Sequence, residues 1–301
     1  MSEAGAAMVP CRMVDQPKNG RVLLLREGKI VSIYHYHPYL FKPYLYPVIG
    51  PYGKNLTQDQ PSDHLHHRSI WYAHHEVNGI SFYYESGDEG RIAHQRFVTW
   101  RGELDQPYFV SENAWIAPDG STVLTDRRRV GMIGLPDGEW YLDLSITLIA
   151  SHGDVVFSDT KEAGLPLVRV ADEIDEIDGG RITSASGATG EEATFGTRSP
   201  WVDYSGPVRG PHGGEGGVQG ITLMDHPSNA NHPPGLFTRS YGPISTREGF
   251  MFEGGLTLRR GERHTLRTRL YIHRGPADLE RMNAHFERYA RETLTGEGDP
   301  A

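Results

Sequence analysis

Cysteine is almost absent. Cys11 is the single one in 301 residues, so no disulfide can form within the chain, and a reducing compartment, the cytoplasm, fits this usage. Long apolar runs are missing as well. The longest, such as Val22–Leu25 and Ile146–Ala150, fall far short of the roughly 20 residues of a membrane-spanning helix. The first residues, Met1–Met8, carry neither a basic stretch nor an apolar one, so no signal peptide is expected. Basic residues are in deficit: 30 Lys and Arg against 39 Asp and Glu give a net charge of −9. That balance argues against nucleic acid and anionic membrane as partners. The compact basic run Arg127-Arg128-Arg129 falls on an expected strand and reads as solvated surface. Nucleophile-elbow, P-loop and dinucleotide-binding glycine motifs are all lacking.

What is present points to β-structure. Thirty-six glycines and twenty prolines punctuate short alternating or β-rich runs: Val22–Leu25, Ile30–Tyr36, Ile80–Tyr84, Ala93–Thr99, Ser121–Val130, Trp140–Ile149, Leu167–Val170, Ile221–Met224, Phe250–Leu258 and Thr265–His273. Tyr141–Leu148 alternates as a half-buried strand should, and Pro118-Asp119-Gly120 and Pro136-Asp137-Gly138 supply turn chemistry. The expectation is an all-β fold, a large antiparallel β-sandwich with one C-terminal helix. That helix is placed at 276–294, where Leu279, Met282, Phe286 and Tyr289 recur at spacings of three and four behind Pro276. Residues 1–20 read as an N-terminal tail and 21–296 as one domain. The acidic run Asp172–Gly180 lacks the spacing of an EF-hand and reads as a solvated turn.

Five of the fifteen histidines fall between His64 and His75. Imidazole titrates near neutral pH and is the commonest metal ligand, so this run is where chemistry is expected. If it forms a strand, His64 and His66 share a face and His67 lies opposite. His64 and His66 are then candidate ligands for a divalent metal (zinc, manganese or iron), with His74, His226 or Asp225 completing the set. Metal-free acid–base work by His64 and His67, or hydrogen bonding to substrate, is a second reading, and a purely structural network is a third. Arg68 either pairs with Asp63 or clamps a polar substrate. Two further loops, Trp201–Gly206 and Asp225–Asn229, offer Asp203, Asp225 and His226 as acid–base groups, with Asp225 orienting His226. Tyr46, Arg68, Trp71, His74, Asn78, Tyr204 and Asn229 are candidate substrate contacts, because aromatic faces beside hydrogen-bonding groups suit carbohydrate.

These same residues carry a resemblance. Lys42-Pro43-Tyr44-Leu45-Tyr46-Pro47, Gly50-Pro51-Tyr52-Gly53, Asp63-His64-x-His66-His67-Arg68-x-x-Trp71, Val77-Asn78-Gly79, Asp159–Gly164, Trp201-x-Asp203-Tyr204-Ser205-Gly206, Asp225–Asn229 and Arg239-x-Tyr241-Gly242 resemble the bacterial domain-of-unknown-function family that carries the name "methane oxygenase PmoA". The likeness runs from Val22 to His273. The name fits poorly, since a membrane methane monooxygenase needs transmembrane helices. The resemblance implies a bacterial cytoplasmic protein from sugar-catabolic gene sets, with a galactose-mutarotase-like sandwich that binds sugar on a concave sheet face. The expected function is a carbohydrate-active enzyme working on a glycoside or keto-sugar derivative by hydrolysis, β-elimination or epimerisation. The alternatives are a non-catalytic sugar-binding or sensing protein and a metal-dependent oxygenase. The expected partner is a small-molecule or oligosaccharide substrate, and a homo-oligomer is a candidate assembly.

Overall fold

The computed structural model describes residues 9–103, 105–209, 216–247 and 254–293. Five strands open the chain: β1 (Cys11–Gln16), β2 (Arg21–Arg26), β3 (Lys29–His35), β4 (Tyr44–Val48) and β5 (Ile70–His74). A run of hairpins follows, β6 (Arg91–Arg101), β7 (Tyr108–Ile116), β8 (Thr122–Gly134) and β9 (Trp140–Ile149). Next come β10 (Val155–Phe157), β11 (Ala163–Arg169), β12 (Arg181–Ser184), the one-turn helix α1 (Glu191–Thr194), β13 (Trp201–Val208) and β14 (Gly217–Asp225). The chain continues through β15 (Gly235–Thr238), β16 (Pro243–Arg247), β17 (Leu256–Leu258), β18 (Arg263–Arg274) and the helix α2 (Leu279–Ala290).

Among the described residues the strands form two eight-stranded sheets. The first runs β1-β2-β3-β4-β5-β11-β16-β15 and the second β12-β13-β14-β18-β9-β8-β7-β6, while β10 and β17 make a small ribbon. Every pairing is antiparallel. The fold is therefore an antiparallel β-sandwich with a C-terminal helix. The hairpins follow from their turns. Gly120 takes a φ of 87° between β7 and β8, with Asp119 Oδ1 accepting from the Ser121 amide at 2.9 Å, and Gly138 takes a φ of 84° between β8 and β9.

Strand alternation sorts side chains into three apolar clusters. Leu45, Ile70, Tyr72, Val168 and Leu236 from the first sheet meet Trp115, Leu124, Val130, Leu142 and Leu270 from the second in the central core. The residues between them, Tyr44, Trp71, Ala73, Leu167 and Phe237, point away from the second sheet and form their own buried cluster with Tyr83. On the far side of the second sheet, Tyr141, Trp201, Met224 and Tyr271 lie under Met282 and Tyr289 of α2. Tyr141–Leu148 is thus buried on both faces rather than one, because the helix covers the outer one.

Several expectations change. The expected tail 1–20 supplies β1, which pairs along its length with β2. Ile80–Tyr84 is not a strand: it bridges to Val77 at Ile80 alone and otherwise runs as a loop. The expected strand at Phe250–Leu258 survives as β17, and its first part lies outside the described residues. The helix is shorter than 276–294. Asp278 caps its start by accepting from the Arg281 amide at 2.8 Å, which leaves Pro276 before the cap, and Leu294 lies outside the described residues. No helix among the described residues is long and apolar enough to cross a membrane.

The three arginines of β8 part company. Arg127 pairs with Glu112 at 3.2 Å, and Arg129 lies over the Tyr108 ring at 4.4 Å. Arg128 is fully buried, not solvated, because strand alternation turns it between the sheets, where Asp126 takes both its Nε (3.0 Å) and its Nη2 (2.8 Å). Asp126 also accepts from Asn113 (2.6 Å) and the Trp115 indole (2.7 Å), while Arg128 sits 4.7 Å over Tyr72 of the opposite sheet. Breaking a buried pair strands a charge, so Arg128→Met should cost about 3–5 kcal/mol in denaturant unfolding. Asp126→Asn on top of it should recover part of that loss, and an additive double variant would contradict the pairing.

Candidate functional site

The histidine run does not form a strand. The His64 amide donates to the Pro61 carbonyl (3.1 Å), the His67 amide to His64 (2.9 Å) and the Gln60 amide to His67 (2.9 Å), so residues 60–67 wind through tight turns. This corrects the expected facing. His64 and His67 lie on one side with rings stacked 4.5 Å apart at 14°, and His66 meets His67 edge-on at 4.7 Å. His67 in turn leans on Trp71 of β5, 5.3 Å away.

The turns place the three imidazoles along one wall of a cavity of about 320 Å³ on the outer face of the first sheet. Tyr83, Tyr84, Phe237 and Tyr241 form its aromatic walls, and Lys161, Glu162 and Arg239 its charged rim. That volume is at the small end for ligand sites and suits a single ring-sized molecule. His66 contacts Tyr84 edge-on at 4.8 Å, and Tyr241 lies flat on His64 at 5.1 Å and 6°.

Asp63 sits behind His64. Its Oδ2 lies 2.9 Å from His64 Nδ1, a close but bent contact, and accepts from Arg169 Nη2 at 2.9 Å. Burial alone would raise the Asp63 pKa, but the contacts with His64 and Arg169 outweigh it and hold the carboxyl below its usual value. Arg169 is only 2% exposed and also lies 4.9 Å over the Tyr241 ring. It therefore supports His64 by two routes, through Asp63 and through Tyr241. With Nδ1 turned to a carboxylate, Nε2 is the nitrogen left to act as acceptor, an assignment that follows from the surroundings.

The other two imidazoles are held neutral. Burial, then Lys42 and His64, push His66 down to about 4. Burial, then His66, His64 and Arg169, push His67 to about 2. His67 Nδ1 and the Trp71 indole nitrogen are buried without a partner among the described residues. A second charged group lies beneath. Arg68 bonds Glu85 (2.6 and 3.0 Å) and Asp59 (3.0 Å), and lies 4.8 Å over Tyr44. Fully buried Lys42 reaches Glu85 at 3.3 Å, and burial lowers its pKa to about 8. Arg68 thus pairs with Asp59 and Glu85 rather than Asp63, because its side chain runs under the turn toward the 81–85 loop.

Most of the other candidates lie elsewhere. Asp203 is fully buried beneath α2, bonded to His273 (2.7 Å) and Thr222 (2.8 Å). Asp225 orients His232 (2.7 Å) and Asn229 (2.6 Å) instead of His226, which bonds Ser228 (2.7 Å) and the Glu292 carbonyl (3.2 Å). Tyr204 is buried, donating to the Ser240 carbonyl at 2.8 Å. Asn229 also donates to the Arg267 carbonyl (2.9 Å), and Asn78 builds a turn with a φ of 52° by bonding Asp154 and Val156. His74 is fully buried and bonds the Ser158 carbonyl at 2.9 Å. Tyr46 packs against the outward apolar cluster and does not line the cavity. Among the described residues no group of three or more His, Cys, Asp or Glu side chains is placed to hold a metal ion. His64 and His67 lie in near-parallel planes, so their in-plane lone pairs do not meet at one point.

The lining residues Tyr83, Tyr84 and Phe237 were not among the sequence candidates. Lys161, Glu162, Arg239 and Tyr241 were, in part: they lie within Asp159–Gly164 and Arg239-x-Tyr241-Gly242, quoted for the resemblance without a role.

Residues 21–287 match the sequence model of a family of unknown function, DUF6807, and the chain belongs to this family. A comparison with curated proteins finds no match. Among solved structures the chain is similar to a polysaccharide lyase, with 12% identity and a TM-score of 0.31, over 92% of this chain and 34% of that one. The chain thus spans about a third of that protein's length.

The depressed imidazoles carry a pH signature. Their folded values lie below the ordinary 6.5, so from pH 6.5 down to about 4 for His66 and about 2 for His67 the unfolded chain binds protons that the folded chain refuses. Stability is complete above that window and falls as pH drops through it. Urea unfolding of His67→Asn at pH 4.5 should take up about one proton fewer than wild type. An unchanged slope of stability with pH would show that His67 is not held neutral.

Proposed function

We propose that this family member is a carbohydrate-active enzyme whose site is the histidine cavity, acting on a glycoside or keto-sugar derivative. The observation that carries this is the convergence of one imidazole backed by a carboxylate, two neutral imidazoles and four aromatic side chains around a ring-sized space. Aromatic faces suit the C–H faces of a sugar, and neutral imidazoles both donate to and accept from hydroxyls. The finer reading of the fold, a galactose-mutarotase-like sandwich, belongs to this proposal too.

His64 is the acid–base group. His67, at about 2, is too weak a base to take a proton from carbon, and His66, at about 4, is little better. Both are suited to hold hydroxyls. A two-carboxylate hydrolysis needs two acids facing the bond, and Glu162 is the one carboxylate among the lining residues. Proton abstraction beside a carbonyl needs one base and a nearby cation for the developing oxyanion. His64 with Lys161 or Arg239 meets that need, so the geometry favours β-elimination or epimerisation of a keto-sugar over simple hydrolysis. A non-catalytic sugar-binding protein is the second reading, supported by the same aromatic walls.

The two readings part on one substitution. With p-nitrophenyl glycosides and their oxidised keto forms as probes, His64→Gln should lower turnover by roughly 10²–10⁴-fold while changing sugar affinity only a few-fold. Phe237→Ala should weaken binding first. Sugar binding without turnover in wild type would leave the binding protein as the function, and failure of every sugar to bind would remove both.

A further inference from the structure

We infer that the cavity takes an acidic sugar, a single ring bearing a carboxylate, with Arg239 and Lys161 holding the acid group. The inference rests on the sugar reading above and adds the substrate class.

The chain as a whole carries −9, yet its cavity lining has two cations, Lys161 and Arg239, against one carboxylate, Glu162. The lining by itself is therefore opposite in sign to the chain as a whole, with Glu191 behind it offsetting part of the Arg239 charge. Arg239 is fixed in orientation. Its guanidinium lies 4.2 Å over Phe195 and 4.9 Å over Phe237, and its Nη1 donates to Glu191 Oε1 at 2.9 Å. Glu191 also accepts from the Ser240 amide at 2.7 Å, so the carboxylate is itself anchored. A guanidinium has five N–H donors in one plane, and no other acceptor engages this one among the described residues. The donors left over form a fork of the kind that meets a carboxylate two-on-two.

Lys161 complements it differently. Its side chain is 60% exposed and lies 3.9 Å from Glu162, too far for a tight pair, so the ammonium can swing to an incoming anion. The imidazole wall leaves the anion unopposed. Its members are donors as well as acceptors, and the carboxylates behind them are taken: Asp63 by Arg169 and His64, Glu85 by Arg68 and Lys42. A cavity near 320 Å³ has room for one ring and a planar acid group.

The test is calorimetric titration at pH 7 of glucuronate, galacturonate, the methyl ester of galacturonate, glucose, galactose and glucose 6-phosphate. One or both uronates should bind at least about tenfold more tightly than the neutral sugars and the ester, with the gap closing at high salt. Arg239→Gln should abolish the preference, and the exposed Lys161→Gln, which cannot threaten folding, should reduce it. Neutral sugars binding as tightly as uronates would overturn the acidic-sugar inference and leave the sugar site standing. Tighter binding of glucose 6-phosphate would overturn it in favour of a phosphate group. Uronate binding untouched by both substitutions would remove these residues from the role. No binding by any of the six would sink the sugar reading itself.

Discussion

The central strands of the first sheet must be buried on both faces, and the candidate site depends on that constraint. In β5, Ile70 and Tyr72 enter the core while Trp71 and Ala73 point the other way. Val168 and Leu236 do the same beside Leu167 and Phe237. The outward set is apolar and too large to leave wet, so the 60–68 turns, the 81–85 loop and the segment around Arg239–Tyr241 fold over it. What they do not fill is the cavity. Of its lining only Phe237 comes from a strand, and the rest, with the chemistry, is carried on loops.

Holding polar loops over an apolar sheet brings charge into the interior, and arginine handles most of it. Arg68 joins Asp59 to Glu85, Arg169 joins Asp63 to the Tyr241 ring, Arg128 links the two sheets, and Arg269 bonds Asp143 (2.6 Å) and Glu292 (2.7 Å) beneath α2. A planar guanidinium can bond a carboxylate along one edge and lie flat on a ring at the same time, which an ammonium cannot. The same charges set the site's electrostatics. Arg169 and Lys42 lie close enough to the imidazoles to add to desolvation, and the result is two histidines that stay neutral while the third keeps a carboxylate partner.

The second sheet presents a different solution to the same constraint. Its outer face carries Tyr141, Trp201, Met224 and Tyr271, and an amphipathic helix rather than loops covers them. Asp203, His273 and Thr222 are enclosed there, as are Asp225, Asn229 and His232 at the rim. These are buried polar groups bonded largely to one another, with Asp203 Oδ1 left without a partner among the described residues.

Some of this was written in the sequence by itself. Period-two alternation, Pro-Asp-Gly turns and one helical repeat determine an antiparallel β-sandwich with a C-terminal helix, because strand and helix periodicities are local properties of the chain. The crowding of histidine at 64–75 is local too, and three of its members, His64, His66 and His67, line the cavity. Which histidines face each other was not local. His64 and His67 stack because three backbone hydrogen bonds turn the segment back on itself. Asp225 chooses His232 over adjacent His226, and Arg68 chooses Glu85 over nearby Asp63, because burial rewards the partner that the fold brings within hydrogen-bond reach, whatever its distance along the chain. Neighbours in sequence share a backbone, but only the tertiary structure decides which side chains lose their water together, and that loss is what turns an acid and a base into a pair.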